Sequence, residues 1–410
     1  MKPTKIAVIS DLHIGRKARA KDFCPYDEKE ARDTDYKGKF LRFIDAHSIR
    51  ADYLVIPGDI SDRGQPDEFK LASALIKEIA RGLHVGPKRI VFVPGNHDVD
   101  WEESSIPDSS GFRHRMRYAP LRDPGLIFER LVGSKRPHFY EPPHFRIWEF
   151  EHLMAVGYNS AWSDDRSVSV HHGLMSNDHV RKLDERLAGL DLSPNRLRLF
   201  IVHHHPIQYS DPIADEPDFS AMTNSENLLA VLGKHNFDLL IHGHKHSPRF
   251  KTVSFGSGFP LAILCAGSFS ARLDTRWSGL VNNQFHLVTV EGRDPSSHCV
   301  FGLVESWTYL CGSDWVPSEL YNGIRHKELF GTYVQPHMVK ETLRPVIEQR
   351  LREKGYAEWP KLISGTPGLG YLRYLPPNLV MDVLDSLSGE LDFLSHGKPP
   401  DDLILISRGD

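Results

Sequence analysis

The sequence predicts an α/β fold organised around a parallel sheet, and two observations carry that reading. Short, apolar, β-branched runs alternate with helical periodicity through residues 5–93. Polar motifs of a restricted kind follow those runs directly, at the edge where open α/β sheets gather their ligands.

Each element has its own signal. Residues 5–10, with Ile6, Val8 and Ile9, read as a buried strand. Residues 28–49 carry Phe40, Leu41, Phe43 and Ile44 on one face and read as a helix. Residues 53–57 form a second strand. Pro66 opens a helix through about Gly82, with Asp67 and Glu68 at the positive end of its dipole. Residues 89–93 form a third strand. This alternation implies right-handed crossovers between parallel strands.

Residues 99–145 hold no periodicity and many Pro, Ser and Arg residues, the texture of a functional lid. Residues 197–202 and 238–241 read as further strands. Short runs at 261–265, 285–290 and 300–309, between Gly-rich turns, predict a second sheet packed on the first. Beyond residue 312, stretches 338–354 and 378–387 read as helices. The Gly/Pro segment 365–370 between them reads as a linker, because it lacks a strand–loop–helix frame and a following Lys-Ser/Thr. The expected organisation is one large domain over 1–311 and a mainly helical C-terminal appendage over 312–410.

The composition suits a packed globular protein, with 40% hydrophobic and 25% charged residues. Its 54 acidic and 50 basic residues nearly balance, which argues against a protein that coats nucleic acid, though not against a local basic groove. Cys24, Cys265, Cys299 and Cys311 show no CxxC spacing, so reduced thiols in a cytoplasmic protein are expected. The apolar run at residues 6–9 is too short for a signal segment, and no stretch approaches the roughly 20 apolar residues of a spanning helix. No membrane association is expected.

Five motifs occur in fixed order: Asp11-Leu12-His13, Gly58-Asp59, Gly95-Asn96-His97-Asp98, His203-His204-His205-Pro206 and Gly243-His244-Lys245-His246. Each offers carboxylate or amide oxygen or imidazole nitrogen, the donors of hard and borderline divalent metals. Asp11 and His13, like His244 and His246, stand two apart, so an extended backbone would aim both at one ion. Gly58, Gly95 and Gly243 let backbone crowd such a centre. Asp59 has two oxygens and can bridge two ions, and Asn96 adds a neutral carbonyl. Two metals about 3.5–4 Å apart are a standard device for in-line attack at phosphorus.

This series resembles the calcineurin-like metallophosphoesterase superfamily, over about residues 5–250 and extending to 310. The resemblance implies a four-layer α/β/β/α sandwich with a dinuclear centre of Mn, Fe or Zn at the sheet edge. It implies Asp11, His13 and His246 on the first metal, Asn96, His204 and His244 on the second, and Asp59 between them. His203 is then a packed core histidine, and His205 a neighbour of the metal ligands or of the substrate. His97 would contact phosphate or protonate the leaving group, oriented by Asp98.

Departures within the superfamily narrow the reading. Purple acid phosphatases place a tyrosine ligand where Asp62 stands. Gly58-Asp59-Ile60-Ser61-Asp62-Arg63-Gly64 is similar to a protein serine/threonine phosphatase motif, yet those enzymes carry Gly-Asn-His-Glu and His-Gly-Gly. The whole set looks most like the bacterial cyclic-nucleotide phosphodiesterase branch. The implied function is hydrolysis of a small phosphodiester by in-line attack of a metal-bridging hydroxide. Alternatives are a nuclease of the DNA-repair type, with nucleic acid as partner, and a non-catalytic scaffold of the same fold. Candidate substrate contacts are Arg63, His205, Arg113 and Arg115. The last two lie in the basic stretch 113–118, and a second basic stretch spans 16–21. Either can draw in a polyanion.

Overall fold

The structure, a computed structural model, describes residues 1–27, 33–100, 116–128, 139–164, 172–190, 192–209, 220–255, 259–272, 281–294, 297–310, 313–331 and 335–408. The chain forms two compact units. One comprises Met1–Thr289 and Val304–Glu328, the other Val290–Leu303 and Leu329–Asp410.

In the first unit, β1 (Thr4–Val8), β2 (Tyr53–Ile56) and β3 (Ile90–Phe92) pair in parallel, Ile6 opposite Tyr53 and Leu54 opposite Ile90. The crossover helices are α1 (Tyr36–Ala46), which buries Phe40, Phe43 and Ile44, and α2 (Pro66–Gly82). Pro66 begins α2 where a missing N–H costs nothing, and the Glu68 carboxylate reaches back to accept from the Gln65 amide at 3.2 Å.

A second sheet follows from β4 (Phe145–Glu149), β5 (Leu153–Tyr158), β6 (Leu197–Val202), β7 (Leu239–His242), β8 (Arg249–Phe255) and β9 (Phe259–Cys265). Its order is β4-β5-β6-β7-β9-β8, parallel at the centre with antiparallel edges β4 and β8. Helices α3 (Asn177–Ala188) and α4 (Ser225–Lys234) pack Leu183, Leu187, Leu228 and Leu232 with Val156, Phe200 and Leu240 of this sheet. At the sheet-to-sheet contact Gly157 lies against Val93, leaving no room for a Cβ.

The chain then returns to the first sheet through β10 (Asn283–Arg293), β11 (Val300–Tyr309), β12 (Trp315–Pro317) and β13 (Lys327–Phe330). The order is β12-β11-β10-β1-β2-β3, with β13 on β11. The predicted second sheet therefore exists but is built from residues 145–265, and the strands at 283–309 rejoin the first. The first eight residues of β10 are buried, as an interior strand requires. Trp315 packs on Phe40 (ring centroids 5.3 Å) and Trp307 on Phe285 (5.5 Å), so residues 313–328 belong to this core and the expected junction at 312 lies inside the first unit.

The second unit contains α5 (Pro336–Lys354), β14 (Tyr356–Glu358), α6 (Trp359–Gly365), α7 (Pro377–Leu391), β15 (Phe393–His396) and β16 (Ile404–Ser407). Its core joins Leu343, Ile347 and Trp359 to Leu384, Phe393 and Leu405. Besides the expected helices it has a three-stranded antiparallel sheet, β14-β16-β15. Its three- and four-residue strands are too short to show a period in sequence. No helix among the described residues is long and apolar enough to cross a membrane.

Candidate metal centre

Strands β1, β2, β3, β6 and β7 each run directly into one motif, and their shared direction delivers all five to one edge of the first unit. The motifs then turn sharply. Asp11, His13, Asp59, His244 and His246 all have positive φ, between 46° and 69°. The expected extended geometry is therefore replaced by left-handed turns, which cost of order 1–3 kcal/mol each and persist only where surroundings fix them. Here the amides of Asp11 and His13 donate to the carbonyls of Gly58 (3.1 Å) and Asp59 (3.0 Å).

One group of donors comprises Asp11, His13, Asp59 and His246, whose ligand atoms all lie within 4.8 Å of one another. His246 Nε2 is 3.2 Å from both Asp11 Oδ1 and His13 Nε2. A second group converges beside it. His203 Nε2 lies 3.0 Å from Asn96 Oδ1 and 3.3 Å from His244 Nδ1, and His244 Nδ1 lies 3.2 Å from Asn96 Oδ1. Asp59 Oδ2 belongs to both groups, 3.5 Å from His13 Nε2 and 3.3 Å from His203 Nε2.

The histidine run is placed differently from the expectation. His203, not His204, faces Asn96, Asp59 and His244. Its Nδ1 donates to the Pro57 carbonyl at 2.8 Å, which turns Nε2 toward the cluster. His204 turns away, with Nδ1 2.7 Å from Ser160 Oγ and Nε2 3.8 Å from Asp164 Oδ2. Residue 203 stands just past the end of β6, where strand alternation no longer governs direction. The sequence signal that bears on this is Gly58, where any Cβ would strike the His203 ring.

The Gly-Asn-His-Asp segment also divides its labour unexpectedly. His97 Nδ1 donates to the backbone carbonyl of Asp62 at 2.8 Å, and its amide donates to Asp59 Oδ1 at 2.9 Å. Asp98, expected to orient His97, instead accepts from the amides of Ser61 (2.8 Å) and Gly95 (2.9 Å) and from Ser61 Oγ (3.0 Å). It ties the Asp59 loop to the Gly95 turn. The 3-10 turn over Asn96–Asp98 points neighbouring side chains apart, so adjacency in sequence misled. His97 itself is partly open, 18% exposed, with its ring 4.6 Å from that of His13.

Burial and mutual charge set the electrostatics. Burial holds His13 and His244 well below the usual imidazole range, so both are neutral and ready to ligate. Burial opposes ionisation of Asp59, but His203, His97 and His13 outweigh it and hold the carboxyl well below the usual range. Burial likewise opposes charge on His203, yet Asp59 raises it to about 9. Asp98 is pushed up to about 7 by burial and then by Asp59. The glycines are sterically required. A Cβ at Gly95 would collide with the Asp59 carboxylate, and one at Gly243 with Ser10 and Asp11.

The candidate substrate contacts separate. Arg63 is 65% exposed, its Nε 3.9 Å from Asp62 Oδ2. His205 is fully buried, stacked at 5.9 Å on His244. Arg113 and Arg115 lie outside the described residues. Arg117, in the same basic stretch, is buried and donates to the carbonyls of Ala161, Trp162 and Asp164, so it serves the core. Carboxylates, imidazoles and an amide oxygen converging in one place are donors that fit a borderline divalent ion.

Residues 4–248, more than half of the chain, match the family described as calcineurin-like phosphoesterase. A probable cyclic nucleotide phosphodiesterase of Rhodococcus erythropolis is 22% identical over 239 residues, which span 58% of this chain and 65% of that protein. Among solved structures, the purple acid phosphatase PPD1 of yellow lupin aligns with 12% identity and a TM-score of 0.46, covering 76% of this chain and 52% of that one. The phosphopantetheinyl hydrolase of Mycobacterium tuberculosis aligns with 16% identity and a TM-score of 0.36, covering 77% and 98%. The ordered motifs, the two-sheet α/β body and the match over residues 4–248 lead to one conclusion: the chain belongs to the calcineurin-like phosphoesterase family.

Proposed function

We propose that this chain hydrolyses small phosphodiesters, a cyclic nucleotide or a related diester, with two divalent metal ions. The observation that carries the reading is the single Asp59 carboxylate shared by two donor groups, with Oδ2 3.5 Å from His13 Nε2 and 3.3 Å from His203 Nε2. Asp11, His13, Asp59 and His246 would hold one ion, and Asp59, Asn96, His203 and His244 the other. Such ions neutralise phosphate charge and lower the pKa of water.

The chain's own residues do the rest. The Asp62 carbonyl fixes the His97 Nδ1 proton, leaving Nε2 to hold or release a proton at the leaving oxygen. The Asp59 Oδ1 bond to the His97 amide keeps that imidazole in register with the donor groups. Ser10 Oγ, 2.5 Å from Asp11 Oδ2, and the His244 amide, 3.1 Å from Asp11 Oδ1, hold the Asp11 carboxylate in place.

The motif pattern and the weak similarity to the Rhodococcus protein both support a diester over a monoester. The test is a panel on manganese-loaded protein: cyclic nucleotides, bis- and mono-nitrophenyl phosphate, and single- and double-stranded DNA. Preference for the small diesters supports the reading. Preference for DNA makes this a nuclease, and no turnover on any of them makes it a scaffold.

A further inference from the structure

We propose that the open edge of β14 in the second unit receives an extended, acidic segment of a partner protein as a fourth strand. The inference goes beyond the phosphoesterase reading and does not depend on it.

Among the described residues, strand β14 pairs with β16 alone, so one side of it is unpaired within its sheet. The hydrogen-bond phase says which groups face that side. Ser407 N donates to Gly355 O at 2.8 Å and Trp359 N to Leu403 O at 2.9 Å, so residues 355, 357 and 359 bond toward β16. By the alternation of an antiparallel ladder, the N–H and C=O groups of Tyr356 and Glu358 point to the open side. An unpaired edge can template an added strand, and this three-residue one offers two positions for it, Tyr356 and Glu358.

The two faces of the sheet specify what can be added. The inner face buries Ala357, Leu405 and Phe393. An outer face exposed to water normally carries polar residues. Here Tyr356, Ile406 and Leu394 stand in register across the three strands and are 45%, 41% and 45% exposed. A fourth strand with apolar residues on this face would extend the stripe.

Along the edge itself, a cavity of about 230 Å³ is lined by Tyr356, Ala357 and Glu358 of the strand and by Arg350, Lys354 and Lys361 beside it. Lys361 pairs with Glu358 at 2.7 Å, while Arg350 and Lys354 meet no carboxylate among the described residues. A side chain of an added strand would reach this cavity, and a carboxylate there would meet two uncompensated cations. The partner segment is thus extended and mixed, with apolar residues for the outer stripe and carboxylates for the cavity.

The test uses the full chain and a fluorescein-labelled nonapeptide with a Val-Glu-Val-Glu-Val centre. Saturable binding with a Kd of about 1 mM or tighter is expected, weakened at least ~10-fold by Arg350→Glu or Lys354→Glu. These exposed or half-exposed positions should leave circular dichroism and phosphodiester turnover unchanged. The amides of Tyr356 and Glu358 should gain hydrogen-exchange protection, and N-methylating alternate peptide amides should abolish binding. No binding, equal binding of the Val-Lys counterpart, or unprotected amides would overturn the proposal. Tighter, competitive binding of a DNA duplex would assign the cations to phosphate instead, and a dimer lost in Lys354→Glu would make a second copy the occupant.

Discussion

His203 Nε2 stands 3.3 Å from Asp59 Oδ2, the oxygen that also faces His13 Nε2 at 3.5 Å. This one contact joins two donor groups that arrive on different strands, and it places His203 rather than its neighbour in the site.

Adjacent histidines should therefore differ in metal binding. His203→Ala should lose at least one ion per chain, since it removes the residue that meets Asn96, Asp59 and His244 together. His204→Ala should retain both, because its ring engages Ser160. Metal analysis of the two purified variants checks this, and the reverse pattern would restore the assignment drawn from the sequence.

His97→Ala should keep its metals and lose roughly 10²–10⁴ in rate, the range for one general acid. The loss should shrink for nitrophenolate, which leaves without a proton. Equal losses for nitrophenol and alkyl leaving groups would reduce His97 to a phosphate contact.

Asp98→Ala should act on stability. It strips an acceptor from two buried amides and one hydroxyl, each worth about 1–3 kcal/mol when left unmade. A loss of about 3 kcal/mol is expected in denaturant melts, with His97→Ala far milder. If Asp98→Ala melts like the parent yet is inactive, Asp98 acts in the chemistry after all.

The motifs were legible because each sits where a parallel strand ends, so order along the chain became proximity in space. What failed was direction. A run of three histidines past a strand end has no period to say which one turns inward, and the answer came from Pro57 and Gly58 on another strand. Asp98 accepts from Ser61 and Gly95, partners that contiguity with His97 does not suggest. The strands at 283–309 were found but given to the wrong sheet, since pairing with β1 is a long-range fact that local periodicity does not carry. The short strands of the second unit were missed altogether.

Buried His286 supplies a pH prediction away from the site. Burial lowers it to about 4, and its ring nitrogens meet Ser306 Oγ at 2.8 Å and the Ala266 carbonyl at 2.7 Å. Its unfolded value is about 6.5, so between pH 6.5 and 4 the unfolded chain binds more protons and stability falls as pH falls. From pH 7 to 5 this group should cost about 2 kcal/mol. His286→Gln should flatten the pH dependence of the denaturation midpoint by that amount. An unchanged slope would show that His286 titrates alike folded and unfolded.

The most direct test of the shared-carboxylate centre is anomalous diffraction from crystals of the manganese-loaded protein. Two peaks about 3.5–4 Å apart should appear, one among Asp11, His13 and His246, the other among Asn96, His203 and His244, with Asp59 touching both. A single peak, or a second ion bound by His204 in place of His203, would contradict the account.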